Sequence, residues 1–478
     1  MKKIISIISI LTVAISLFSV RASAQDKFQS GFFLDNYNYV FRLNPAIMSE
    51  KSFFGLCTGS AEVGMSSGLG VSSLIYPNAA GDGLVTFLHP SVTTEEMMSH
   101  LGPYTPIGMD VNYNILSTGK RRENKFNSFE INLRSEFGTA LPSDFFRFLK
   151  EGNSTTPYDL RSLYASERLY AEIAFGVAKK PLDGNLTIGF RIKGLVGLAS
   201  ADLRFEKADV LFNNGTIATD IEGKARLALK GVQFVNDEQG NIGINASDPR
   251  GIRPGGYGGA VDLGFRWTPF ESLAISGGIN DLGGVFWKYN SIAKAADQFT
   301  FNGFEHIGKE TNYGEELDNA KEDFLEIANL QAMDGIEESG FERLAFTANL
   351  GARWRLPILS FISVGALGIY HFDDIAPYWD ARAGVTLSPF RFISVTANYG
   401  QNTQGNVLGV AASVTLLFIN AYIGLDTYAD RVGIIPPEQL GLQGINIPKY
   451  GGVPVPIDPF RCKLTFGMNM QFGQRYRN

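Results

Sequence analysis

The 478-residue chain is poor in cysteine and histidine, and after its N-terminus it has no apolar run of the roughly 20 residues that a membrane-crossing helix needs. That gap excludes a helical membrane protein. Cys57 and Cys462 cannot staple a chain of this length, and two unpaired thiols are expected. The four histidines (His89, His100, His306 and His371) show no metal-ligand spacing with one another or with cysteine, so neither a metal nor a cofactor is expected. There is no P-loop and no dinucleotide-binding glycine pattern. Charged residues make up only 19% and the formal charge is −6, which argues against a disordered chain, a coiled coil and a nucleic-acid binder. Gly64, Met65, Ser66, Ser67 and Gly68 fit the nucleophile-elbow spacing. That elbow requires a strand, a sharp turn and a helix, whereas here small residues lead into further glycine. The carboxylate pairs Glu95/Glu96 and Glu315/Glu316 have nothing to oppose them. No enzyme is expected.

The first 24 residues carry Lys2 and Lys3, then an apolar stretch, then Ala22, Ser23 and Ala24. A positive start, a short greasy core and a small-x-small site predict a secretory signal peptide over 1–24, with Gln25 opening the mature chain. Its removal takes away Lys2, Lys3 and Arg21 but no acid, moving the formal charge from −6 to −9.

Beyond it the dominant signal is alternation with the strand period of two. In 344–355, Leu344, Phe346, Ala348, Leu350 and Trp354 share one face, while Thr347, Asn349, Arg353 and Arg355 share the other. In 462–472, Leu464, Phe466, Met468, Met470 and Phe472 oppose Lys463, Thr465, Gly467, Asn469 and Gln471. Comparable runs occupy 107–116, 126–137, 168–179, 185–198, 257–267, 271–281, 361–371, 380–388, 391–400, 407–417 and 419–428, with a noisier one at 53–66. They match the roughly 9–11 residues of a tilted bilayer-crossing strand and exceed the five or six typical of soluble sandwiches.

The links alternate in length. Short ones carry turn chemistry, as at Pro181 with Gly184, Pro269 and Pro389. Long ones, at 67–106, 138–167, 235–256, 282–343 and 429–461, fall on the other side. Short turns at one mouth and long loops at the other predict an all-β fold, a transmembrane antiparallel β-barrel of 14 strands with a range of 14–16. The segment that breaks the pattern is 200–234, where Lys207 and Asp209 share a face with Leu203, Phe205 and Leu211. A charge facing lipid near the midplane costs about 2–4 kcal/mol, so this segment is expected to stand above the membrane as a hairpin. Because every backbone polar group in hydrocarbon must be bonded internally, amphipathic strands must close on themselves with their polar faces inward. The lumen-lining candidates are Asp110, Glu130, Arg134, Glu172, Arg191, Lys193, Asp262, Arg266, Arg353, Arg355, Asp380, Arg382 and Lys463. Both signs occur, which predicts ion pairs across a partly filled lumen. Segment 290–343 holds thirteen acids against Lys294, Lys309, Lys321 and Arg343, and is expected to be a solvated acidic external loop with a helix near Leu317, Phe324, Ile327 and Ala328. The prolines of 429–461 predict an extended, strand-poor loop.

Arg42, Leu43, Asn44, Pro45 and Ala46 resemble the Asn-Pro-Ala element of the long-chain fatty acid transporter type of barrel and its type IX secretion relatives. With the stretch Leu141, Pro142, Ser143, Asp144, Phe145 and Phe146, then Glu151, Gly152 and Asn153, and with Ile192, Lys193, Gly194 and Leu195, the mature chain resembles an uncharacterised family of Bacteroidota outer-membrane barrels. The resemblance implies a barrel over 53–478 and a small hatch over 25–52 at its periplasmic mouth, with Asn44, Pro45 and Ala46 as the hatch motif. Near the C-terminus, Gly467, Met470 and Phe472 resemble the signal read by the barrel assembly machinery. The partners expected are that machinery, outer-membrane lipid and lipopolysaccharide. Two functional expectations stand side by side. One is a hatch-gated passive channel for a small solute, hydrophobic ones included. The other is a non-transporting scaffold whose loops meet surface partners or aid secretion, with a barrel enzyme a distant third. The hatch aromatics Phe32, Phe33, Tyr37, Tyr39 and Phe41 are expected to serve as packing more than as a ligand wall.

Overall fold

In the computed structural model the period-two runs form one antiparallel cylinder. The structure describes residues 27–476 except 78–83, 153, 162, 182–183, 214–215, 237–241, 247–250, 296–297, 302–329, 334, 373–376, 404, 430, 436–452 and 459. The expected signal peptide and the expected helix near Leu317–Ala328 therefore lie outside the described residues.

The wall has 14 strands. β1 comes in two pieces, Ser52–Leu56 and Ala61–Ser67, joined by a kink at Cys57 with φ of 53°. Then follow β2 (Tyr104–Arg122), β3 (Lys125–Pro142), β4 (Tyr164–Lys179), β5 (Leu186–Asn213), β6 (Gly256–Phe270) and β7 (Leu273–Tyr289). The second half comprises β8 (Phe346–Arg355), β9 (Ile362–Phe372), β10 (Tyr378–Phe390), β11 (Ile393–Asn402), β12 (Gly405–Leu416), β13 (Ile419–Ala429) and β14 (Phe460–Phe472). Each strand pairs with its neighbour in sequence, and β14 closes the ring on β1, with Ser52 opposite Phe472 and Ala61 opposite Phe466. No wall strand is left with an open edge, as hydrocarbon requires.

The alternation sorts inside from outside. On β8, Leu350 and Trp354 are exposed on the outer wall, while Thr347 is buried inside. Phe175, Ile192, Phe265, Val395, Ile423, Phe466 and Met470 continue this apolar girdle around the cylinder. So large an apolar surface would be an aggregation hazard in water, but acyl chains solvate it. The two cysteines are both free. Cys462 lies opposite Met65, eight residues along β1 from Cys57, or roughly 26 Å at about 3.3 Å per residue, beyond disulfide reach.

Segment 200–234 does not cross. β5 runs 28 residues, far longer than the wall needs, and pairs with β6 only through its first part, Leu186 to Gly197. Its upper part pairs with the returning strand Thr216–Ala228. Strands Ser291–Ala295 and Leu330–Met333 extend this sheet, and Tyr158, Leu163, Phe205, Val210, Ile221 and Leu330 give the cap its own apolar core. Lys207 pairs with Asp220 on the cap surface.

Two loop expectations need correction. Residues 291–301 and 330–343 contribute strands to the cap and to β7 in addition to loop. Segment 429–461 is not strand-poor, because Arg431–Ile435 and Val453–Asp458 form a hairpin. Pro454 and Pro456 stand two apart, so Val455 between them keeps its N–H group for the ladder.

Candidate functional site: the plugged lumen

Residues 27–51 add no strand to the wall. They thread the cylinder from the short-turn mouth to mid-height, reaching deeper than a cover over the mouth, with two single-turn 3₁₀ helices at Ser30–Phe32 and Val40–Arg42. Phe28, Phe32, Phe33, Tyr37, Tyr39 and Phe41 are all buried. Phe41 stacks on Phe53 of the wall and meets Phe126 at a tilt, Tyr39 meets Phe53 edge-on, and Tyr37 meets Tyr422 edge-on at 4.9 Å. These aromatics pack the hatch against the barrel, each burial contributing about 1.5–3 kcal/mol.

The Asn44, Pro45 and Ala46 turn is the docking knuckle. The Asn44 side-chain oxygen accepts from the Ala46 N–H at 2.9 Å, and its amide donates to the carbonyls of Phe265 and Gly277 at 3.1 and 2.9 Å. Asn280 and Asn349 donate to the Leu43 carbonyl at 2.7 and 2.8 Å. The wall beneath is glycine. A Cβ at Gly189 would fall 2.2 Å from the Ala46 nitrogen, and one at Gly264 would fall 2.1 Å from the Asn44 side-chain oxygen.

At mid-height a continuous chain of ion pairs crosses the lumen. Lys463 contacts Asp110 at 2.9 Å and Glu62 at 3.6 Å. Arg42 of the hatch bridges Glu62 at 2.9 Å and Glu130 at 2.7 Å. Arg191 links Glu130 to Asp262, the latter at 3.2 Å. Lys193 bridges Asp262, at 2.7 Å, and Asp281. Asp281 also receives hatch Lys27 at 2.8 Å and Arg134 at 3.3 Å, and Arg134 reaches Glu172 at 2.6 Å. The six cations and six carboxylates of this chain balance, which is how so many buried charges remain ionised. Burial pushes the Lys27 ammonium below the ordinary lysine range, against the pull of Asp281. A second buried cluster joins Arg382 to Asp380 at 2.6 Å and to Asp426 at 2.7 Å, and Asp426 also accepts the hatch N–H of Ser30 at 3.2 Å. Above the chain, Tyr170, Leu195, Val285, Trp287, Tyr289 and Leu344 form an apolar layer.

Of the lumen candidates, the mid-height chain therefore takes Asp110, Glu130, Arg134, Glu172, Arg191, Lys193, Asp262 and Lys463. Asp380 and Arg382 join the second cluster, and Arg266, Arg353 and Arg355 stand at the short-turn mouth. There Asp35 of the hatch takes Arg353 at 2.8 Å and Arg355 at 3.6 Å. Burial alone would raise the Asp35 carboxyl, but the two guanidiniums and the Ser388 hydroxyl outweigh it and hold the carboxyl below the ordinary range. Sequence reasoning missed Lys27, Arg42, Glu62, Asp281 and Asp426 as members of these clusters. Asp281 was hidden by a bulge: with φ of 63°, it and Asn280 together face the single residue Asp262, which switches the inward set of β7 from even to odd numbers.

Ser66 lies within β1, paired with both β14 and β2, and not on the sharp turn that a nucleophile elbow needs. Among the described residues no group of three or more His, Cys, Asp and Glu is placed to hold a metal ion. At the C-terminal end Met470 and Phe472 face outward, and Gly467 lies against the Gly59 carbonyl.

Comparison with solved structures finds the P. putida toluene transporter TodX, at 8% identity over 92% of this chain and 95% of that one, with a TM-score of 0.45. The Ralstonia pickettii toluene transporter TbuX matches at 8% identity over 91% and 94%, TM-score 0.44. A Pseudomonas aeruginosa FadL homologue matches at 8% identity over 95% and 100%, TM-score 0.45. Comparison with curated proteins finds no match. The model of a family of unknown function, DUF5723, matches residues 45–426, from the hatch knuckle to the penultimate wall strand, and the chain belongs to that family.

Proposed function

We propose that this is an outer-membrane channel of a Gram-negative bacterium, of the Bacteroidota type that the sequence resembles, through which a small solute passes when the hatch shifts. The observation that carries the reading is the division of labour inside the cylinder. A barrel of about eight strands is filled by its own side chains, and about 16–18 strands leave an aqueous passage. Fourteen strands fall between these, and here a separate segment fills the space. Anchoring external loops would need no such width and no such plug. The buried aromatics of the hatch and the apolar layer above the ion-pair chain favour an uncharged, hydrophobic solute, since an ion would have to break the balanced chain without compensation.

Proteoliposomes test this. Those carrying the mature protein should take up a small neutral aromatic solute faster than those carrying a hatch-locked form or no protein, with saturation. Equal rates in all three would sink the channel reading. The scaffold reading has one observation in its favour, the cap with its own core above the wall. It predicts no uptake but retention of surface partners that is lost when the cap is removed.

A further inference from the structure

At the short-turn mouth the wall is notched. On β7 and the last residue of the turn before it, between two arginine-bearing strands, the positions facing the recess are Ser272, Ala274 and Ser276, all small. By register Arg266 on β6 stands opposite Ser276, and Arg353 on β8 stands opposite Ala274. Nothing large fills the floor between them. The result is an open recess, walled on the far side by hatch residues from Leu34 to Asn38.

Its charge is uneven. Arg353 and Arg355 share Asp35, whose second oxygen also accepts from the Ser388 hydroxyl at 2.8 Å. Arg266 has no ion pair and no hydrogen bond among the described residues, and the charges acting on it are the cations Arg353, Arg121 and Arg355. The other lining acids do not answer it: Glu50 is held by Arg475 at 2.5 Å, and Glu271 is exposed on the β6–β7 turn. A half-buried guanidinium among other guanidiniums, facing an empty notch, is a donor set without its acceptor.

We propose that this recess is an oxyanion site. Arg266, with Arg353 and Arg355 beside it and the Ser272 and Ser276 hydroxyls on the floor, takes a carboxylate or phosphate group presented from the short-turn side. The oxyanion completes the charge that Asp35 alone does not balance. The site is independent of the channel reading, because it binds whether or not the barrel conducts.

The test is equilibrium dialysis of the mature protein in nonionic detergent against labelled inorganic phosphate and labelled benzoate, with assay of phosphatidylglycerol retained through detergent exchange. Wild type is expected to bind one of the two free anions saturably, or to retain the lipid. Arg266→Gln should weaken binding about tenfold, the loss of one charge-assisted bidentate contact, and Arg266→Lys should fall between. Ser276→Leu fills the floor without removing charge and should weaken binding as well, so the test does not hang on one variant folding. Retained lipid lost in Arg266→Gln identifies a headgroup as the source, whereas free-anion binding without lipid identifies a soluble ligand. No saturable anion and no lipid in wild type overturns the proposal. So does binding unchanged by both Arg266→Gln and Ser276→Leu.

Discussion

Arg42 is the single hatch residue on which most of the lumen's charge balance turns. Its guanidinium spans Glu62 and Glu130 and also donates to the Ser60 hydroxyl at 2.9 Å. Arg42→Ala leaves six carboxylates facing five cations, with Glu62 left to Lys463 and Glu130 to Arg191, and should cost about 3–5 kcal/mol of hatch docking, read as faster hydrogen exchange over 28–46 in a barrel that still shows a heat-modifiable gel shift. Unchanged exchange would show that the pairs do not hold the hatch. Asp35 gives a pH signature. Its carboxyl is held below the ordinary value only while the hatch is docked. The released hatch therefore binds more protons between that lowered value and about 3.9, and docking strengthens as pH rises through this window. The Asp35 contribution is complete above about pH 4 and is lost as pH falls through the lowered value. Exchange over 30–40, corrected for intrinsic rates, should rise on acidification in wild type and lose that component in Asp35→Asn. How far the site can be read from sequence follows from the same residues. Arg191, Lys193 and Asp262 stand at clean alternating positions, so period two alone points them inward. Asp281 sits past a bulge that reverses the parity, and Lys27 lies in a segment with no strand period at all. Which cation meets which carboxylate depends on strands far apart in sequence, as Arg42 and Glu130 are, and no local pattern encodes that.

Individual strands were legible because lipid imposes a hard rule: one face must be apolar over the whole crossing. Leu350, 60% exposed at the middle of β8, states that rule most plainly. Leu350→Arg should destabilise the barrel by about 2–4 kcal/mol, whereas arginine near the strand end, at Phe346, should cost less; equal costs in detergent-to-bilayer folding assays would put this face outside the membrane. The same rule read 200–234 correctly as a non-crossing hairpin, since Lys207 and Asp209 break the greasy face. It could not show that β5 would continue upward into a cap with its own core, because above the membrane that rule no longer applies. Replacing 206–223 with a two-residue turn should therefore leave the heat-modifiable barrel intact. Loss of the folded band would mean that the cap helps to close the wall. The paired strands within 429–461 depart from the proline-based expectation for a simpler reason: proline count lowers strand expectation, but prolines two apart spare one edge of the ladder.

At the scale of the whole molecule the barrel and its contents are two objects. The wall is held by backbone ladders that close on themselves, and the hatch by aromatic packing, the Asn44 knuckle and ion pairs. The seam between them is the glycine floor at Gly189 and Gly264, where the atoms nearest to a single added carbon are those of hatch residues Asn44, Pro45 and Ala46. Gly189→Ala should loosen the hatch without unfolding the ladder. The most direct measurement is single-channel conductance in a planar bilayer for the wild type beside a form lacking 27–44. The account predicts a closed or rarely open wild type and a steady, much larger conductance once the segment is gone. A deletion form that folds, inserts and remains as silent as wild type would contradict it.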